Sequence, residues 1–211
     1  MPRCPLCSER PAKRLCPAKN ARICPVCCGS RREVDIDCPS SCYFLQAGRA
    51  YENDQRVPDP QLVAAVQHLD KDFIYRQSPI LNAVCLSIHE ERMDSRWLVD
   101  TDVIEVLKSL AATMKTLSSG IYYDSLPESG IRASLYRRLK GLLDGFMHPE
   151  PHGGLHQPAK LSEIVDILNF LTMAATVNSN SRPRSRQYLD TLTEMAASEA
   201  GHQQRSSLIV P

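Results

Sequence analysis

Eight cysteines in the first 42 residues constrain this chain more than any other feature. Cys4, Cys7, Cys16, Cys24, Cys27, Cys28, Cys38 and Cys42 follow the spacing C-x2-C-x8-C-x7-C-x2-C-C-x9-C-x3-C, and the remaining cysteine is Cys85. Thiols at this density are either disulfides or metal ligands, and the choice follows the redox compartment. The N-terminus runs directly into the cysteines without the apolar stretch of a signal peptide, so the sequence reads as cytoplasmic and reducing. In that setting pairs two residues apart read as metal ligands. No stretch approaches the uninterrupted apolar length of a membrane-spanning helix, and neither export nor membrane association is expected.

Two units, Cys4-Pro5-Leu6-Cys7 and Cys24-Pro25-Val26-Cys27, are C-P-x-C knuckles, whose tight turn aims both sulfurs at one ion and backbone amides at the thiolates. Sixteen residues separate them, inside the window for a zinc site. The first site is therefore expected to be Cys4, Cys7, Cys24 and Cys27. Cys16, Cys28, Cys38 and Cys42 then form a second, with Cys28 joining the two in an interleaved cross-brace. A sequential alternative places Cys4, Cys7, Cys16 and Cys24 on one ion and the last four on the other, but asks adjacent Cys27 and Cys28 to chelate the same metal. Four-sulfur sites are closed and leave no position for substrate, so two structural zinc ions are expected, standing in for a hydrophobic core. Iron is the alternative metal, because Cys24-Pro25-Val26-Cys27-Cys28-Gly29 also resembles a rubredoxin-type knuckle, although the C-x2-C-x2-C run of many iron–sulfur clusters is missing. A redox C-x-x-C lacks its βαβ context.

The run Cys4-x2-Cys7-x8-Cys16-x7-Cys24-x2-Cys27 resembles the B-box and HIT families of small double-zinc fingers, over about a fifth of the chain. It departs from the B-box pattern in ending on Cys38 and Cys42 rather than histidines, and in carrying Lys19 where a ligand is usual. The resemblance implies a protein-interaction module placed beside helical segments, and implies nothing about ligase activity.

The composition changes near residue 50. With 211 residues and 43% hydrophobic side chains, the chain can bury a core of its own beyond that point. Tyr51–Pro60 reads as a polar linker or helix lead-in. Helical stripes follow: Leu62, Val63, Val66, Leu69 and Phe73 after an Asp59 cap and Pro60; then Ile80, Leu81, Val84, Cys85 and Ile88 from Pro79, a run that also fits a buried strand. Val103, Val106, Leu107, Leu110, Met114 and Leu117 make a third, capped by Thr101-Asp102 and ended by Gly120. Ile131, Leu135, Tyr136, Leu139, Leu142, Leu143 and Phe146 make a fourth. Leu161–Val177 is apolar on most faces and reads as the central helix, and Pro183 can open a last one carrying Tyr188, Leu189, Leu192 and Met195. The expected fold is a small Cys-rich zinc module over residues 1–49, a linker over 50–60, an all-α helical bundle over 61–200 and a loose tail over 201–211.

Charge adds one further candidate. Residues 1–49 hold nine Lys/Arg against four acids, and the rest of the chain sixteen against twenty. Arg31 and Arg32 beside the second knuckle, and Arg182, Arg184 and Arg186 at the last turn, are candidate phosphate contacts for RNA or a ribosomal surface, as are Arg137, Arg138 and Lys140 with Tyr122 and Tyr123 as stacking groups. The competing reading is a solvated face. His148, His152 and His156 are four apart, but Pro149, Pro151, Gly153 and Gly154 break any helix that would align them. Cys85 reads as an inert thiol on an apolar stripe. Neither phosphate-loop motif occurs. The expectation is a non-enzymatic adaptor that docks a protein partner through the finger, with nucleic-acid binding through the arginines as the alternative.

Overall fold

The computed structural model describes residues 2–57, 60, 71–120, 123–128, 130–149 and 158–206. Its N-terminal part is a hairpin, β1 (Arg14–Cys16) and β2 (Ala21–Ile23), followed by α1 (Pro25–Arg31). The antiparallel register pairs Arg14 with Ile23, Leu15 with Arg22 and Cys16 with Ala21. Asn20 closes the turn at φ 47, a left-handed conformation that Asn adopts more readily than most side chains. Pro25 occupies the first turn of α1, and the Cys24 sulfur accepts the Cys27 N–H at 3.3 Å, so the knuckle caps its own helix. The core of this part is Cys4, Cys16, Ile23, Cys24, Cys27 and Ile36. Two isoleucines among buried thiols are a small apolar core, consistent with a fold organised around its cysteines.

Helix α2 (Tyr43–Asp54) follows. The polar stretch that reads as linker thus begins inside a helix: Tyr51–Asp54 is its last turn, polar because it faces solvent and the ion pairs described below. Then come α3 (Lys71–Asp94), α4 (Asp100–Ser118), α5 (Gly130–Met147), α6 (Leu161–Asn178) and α7 (Gln187–Ser206), and the chain is mostly helical. The stripe from Asp59 lies largely outside the described residues, but its C-terminal end and the Pro79 stripe form one continuous helix, which excludes the strand alternative. Pro79 removes the N–H that would bond the Tyr75 carbonyl four residues back. The Ser78 hydroxyl donates to that carbonyl at 2.9 Å instead, so the backbone acceptor is satisfied and the helix continues.

Helices α3–α7 share one core, in which Val84, Ile88, Val106, Leu107, Leu110, Leu135, Leu139, Leu143, Ile167 and Leu168 are fully buried. Burial of each such side chain contributes about 1.5–3 kcal/mol. The central helix is α4 rather than the expected Leu161–Val177: α4 packs against α5, α6 and α7 and buries Asp100, Thr113 and five aliphatic or Met side chains. The hydropathy of α6 overstates its burial, because Glu163, Asp166 and Asn169 hold one face to solvent. Asp102 is the third residue of α4, not its cap. Its carboxylate accepts the Val99 N–H at 3.3 Å, while Gly120, at φ 76, ends the helix as expected. Helix α7 starts at Gln187 and runs to Ser206, so the segment expected to be a loose tail is helical over its first part. Among the described residues no helix is long and apolar enough to cross a membrane.

Candidate metal centre

The two knuckles converge. The sulfurs of Cys4, Cys7, Cys24 and Cys27 all lie within 4.8 Å of one another, and Cys7 Sγ and Cys24 Sγ are 4.0 Å apart. Tetrahedral zinc at 2.3 Å from each sulfur sets roughly 3.8 Å between sulfurs, so this set can hold one metal ion with little movement. The sequence brings these groups together by local means: Cys4 and Cys7 share a turn, and β2 delivers Cys24 directly into the cap of α1.

Electrostatics favour a cation here. Burial opposes ionisation of Cys4, but backbone amides of Cys24, Leu6 and Cys7 outweigh it and bring the thiol down to about 6. Amides of Arg10 and Glu9 lower Cys7 as well. The last proton is held: burial and the neighbouring thiols of Cys24, Cys7 and Cys4 push Cys27 up to about 12. Four convergent thiolates cannot all ionise unaided, and a divalent ion supplies the missing positive charge. Arg10 adds a monovalent one from outside, its guanidinium hydrogen-bonded to Cys24 and raised further by the charges of Cys7 and Cys24.

Cys16, Cys28, Cys38 and Cys42 line one small cavity of about 10 Å³, together with Ile23, Ile36, Leu45 and Phe44. That is about the volume one small ion or water needs. Burial pushes the Cys38 thiol up to about 11, with the charges of Cys42 and Cys16 adding to it. The sulfurs of this second set are less tightly gathered: among the described residues the first set is the one in which all four lie within 4.8 Å.

Most of the expected phosphate-binding side chains are paired with acids, two of them, Arg182 and Arg186, in the joint between finger and bundle, while Arg137 and Arg184 have no side-chain ion pair among the described residues. Arg186, 6% exposed, donates to Asp37 at 2.5 Å and to the Leu98 carbonyl at 3.3 Å. Arg182 pairs with Glu52 at 2.9 Å and Glu33 at 3.8 Å. Arg32 lies against α2, donating to the Phe44 carbonyl at 3.0 Å and pairing with Glu52 at 3.6 Å. It passes so close to Gly48 that a Cβ there would stand 1.2 Å from its Nη1. Arg31 pairs with Asp35 at 3.6 Å on the surface, and the backbone N–H of Arg184 donates to the Glu33 carbonyl at 2.8 Å. Arg138 is bound to Glu90, Glu91 and Asp94, and Lys140 to Asp124 and Asp144.

Sequence reasoning missed the centre of that joint. Glu33 is 1% exposed, sits at φ 56 between Cys28 and Cys38, and receives Arg49, Arg182 and the Asn180 amide, the last at 2.7 Å. Arg49 bridges on to Asp190 of α7 at 2.6 Å, and Ser40 donates to the same carboxylate at 2.7 Å. These partners are 141 to 150 residues apart in sequence, a separation that no local spacing announces. His148 caps the end of α5, its Nδ1 3.3 Å from the Asp144 carbonyl oxygen, whereas His152, His156 and Tyr122 lie outside the described residues. Cys85 is half-buried and interacts with the buried Tyr188 hydroxyl.

Fold and site together define a mostly helical protein whose N-terminal part gathers four cysteines that could hold a metal ion. No protein-family model matches the chain, and no curated protein or solved structure is similar to it at a meaningful level.

Proposed function

We propose that the protein is a zinc-binding, non-catalytic adaptor: a double structural zinc finger, fixed to a helical bundle, that docks a protein partner. The observation that carries this reading is the closed four-sulfur set of Cys4, Cys7, Cys24 and Cys27, which satisfies a tetrahedral ion completely and leaves no coordination position for substrate. The second zinc is assigned to Cys16, Cys28, Cys38 and Cys42, on the support of their shared cavity. The finger is held by ion pairs from Arg49, Arg182 and Arg186, which makes it a rigid platform rather than a tethered module. Engagement of those same arginines supports a protein partner over a phosphate backbone.

Metal analysis of the purified chain tests the zinc assignment. About two zinc per chain are expected; one would leave the second cysteine set without a metal, and iron would replace the zinc reading. The adaptor role is tested by tagged purification with and without nuclease. A defined protein that survives nuclease supports it, and loss of every partner with nucleic acid in the untreated eluate refutes it.

A further inference from the structure

The finger leaves one group of cations without partners. Residues 1–30 carry six Lys/Arg and a single acid, Glu9, which lies 3.9 Å from Arg10. Lys13, Lys19 and Arg22 are exposed and make no side-chain hydrogen bond or ion pair among the described residues, in contrast to Arg32, Arg49, Arg182 and Arg186 at the joint. Two divalent ions on eight thiolates add minus four, so residues 1–49, at plus five, keep only about plus one, and the hairpin cations stand as a local patch on a nearly neutral module.

The hairpin arranges these charges on one side. Side chains alternate along a strand, so Cys16 and Ile23 turn inward to the cysteine core while Leu15 and its cross-strand partner Arg22 turn outward together. Lys13, two residues before Leu15, shares that face, and Lys19 stands at the tip. Leu15 is 62% exposed in the middle of the cations. The hairpin is held at both strands by the cysteine sets, since β1 ends on Cys16 of the second and β2 leads into Cys24 of the first.

We propose that this outward face, Leu15 flanked by Lys13, Lys19 and Arg22, is the docking surface for an acidic peptide segment of a partner protein that carries an apolar anchor residue. The inference rests on the adaptor reading and names the chemistry of the partner. An exposed leucine opposite an unpaired arginine matches a ligand with an apolar side chain between carboxylates. A phosphate backbone would leave Leu15 unused, and the Phe44 ring already carries the Arg14 guanidinium 4.7 Å from its centroid. Because both cysteine sets hold the hairpin, docking requires the metal.

The test is fluorescence anisotropy on the full, zinc-loaded chain with three labelled probes: an Asp/Glu-rich dodecapeptide with a central Leu-Phe pair, the same peptide with Ser-Ser at the centre, and an oligo-dT single strand. The Leu-Phe peptide should bind and the Ser-Ser peptide should bind about tenfold more weakly. The double variant Lys13→Glu/Arg22→Glu, and separately Leu15→Ser, should each weaken the Leu-Phe peptide about tenfold or more while zinc content and helical circular dichroism stay at the parent level. Chelation should abolish binding. Failure of the parent protein to bind the Leu-Phe peptide, equal binding by the variants, or tighter binding of oligo-dT would each overturn the proposal. Metal content measured on the same samples separates the two claims: a zinc-loaded parent that ignores the peptide refutes this surface alone, whereas a parent that binds no metal refutes the adaptor reading beneath it.

Discussion

Replacement of Glu33 by Ala tests whether finger and bundle behave as one body. The carboxylate is 1% exposed and meets Arg49, Arg182 and Asn180, groups from both parts of the molecule. Removing one member of a buried ion pair costs about 3–5 kcal/mol, because the remaining charge is left without compensation. Arg49 keeps Asp190 at 2.6 Å and Arg182 keeps Glu52 at 2.9 Å, which places the expected loss at the lower end, about 3 kcal/mol. For a chain of this length that corresponds to a melting temperature lower by roughly 6–12 °C. Backbone and side chain can be separated, since Glu33 sits at φ 56. Glu33→Gly loses the same carboxylate but relieves the left-handed strain, so it should be about 1 kcal/mol more stable than Glu33→Ala. Thermal unfolding followed by circular dichroism gives the magnitude, and hydrogen exchange gives the location: amides of α7 should lose protection while zinc content is unchanged, because no cysteine is touched. Unchanged α7 protection, or a shift under about 2 °C, would refute coupling through this acid.

Three further outcomes follow from the geometry. Asp100 accepts the N–H groups of Tyr188 and Leu189, each at 3.2 Å, and the Ser185 hydroxyl at 2.7 Å, so it caps α7 from the start of α4; Asp100→Ala should cost about 2–4 kcal/mol in urea unfolding and Asp100→Asn distinctly less, and equality of the alanine variant with the parent would refute the cap. Gly48→Ala should destabilise by about 1–2 kcal/mol by displacing Arg32, yet be neutral or stabilising in an Arg32→Ala background; the same penalty in both backgrounds would show that Arg32 is not the obstacle. Zinc should be retained at neutral pH and released in acid: Cys4, held at about 6 against an ordinary 9.0, stabilises the folded ion-binding form above its ordinary value and loses that contribution as pH falls through the lowered one. Release below about pH 6 is read with a chromogenic chelator, and full retention at about pH 4 would refute the argument.

What the sequence disclosed is what acts over a few residues. C-P-x-C spacing located the first metal set because a knuckle is a local turn, and the stripes through Val103–Leu117 and Ile131–Phe146 located α4 and α5 because helical periodicity is local too. The interleaved grouping of the first set agrees with the gathered sulfurs, whereas the second set has a shared cavity and a looser arrangement. Pro79 misled because the hydroxyl that repairs its lost hydrogen bond belongs to an ordinary-looking serine. The arginine runs are less legible for a different reason: a run of like charge says nothing about which acid stands opposite it, and Glu33, Asp37, Glu52 and Asp190 become visible only in three dimensions.

The Arg49–Asp190 bridge spans 141 residues, and that span orders events during synthesis. At about 5–20 residues per second the ribosome needs roughly 7–30 s to deliver Asp190 after Arg49. All eight finger cysteines precede Arg49, so the nascent finger can take up metal well before the helix that clamps it exists. Until the segment from Asn180 to α7 emerges, Glu33 and Arg49 have only each other, and a finger that captured the wrong ion can still exchange it. Helix α7 is therefore the latch that closes on a finger made well before it.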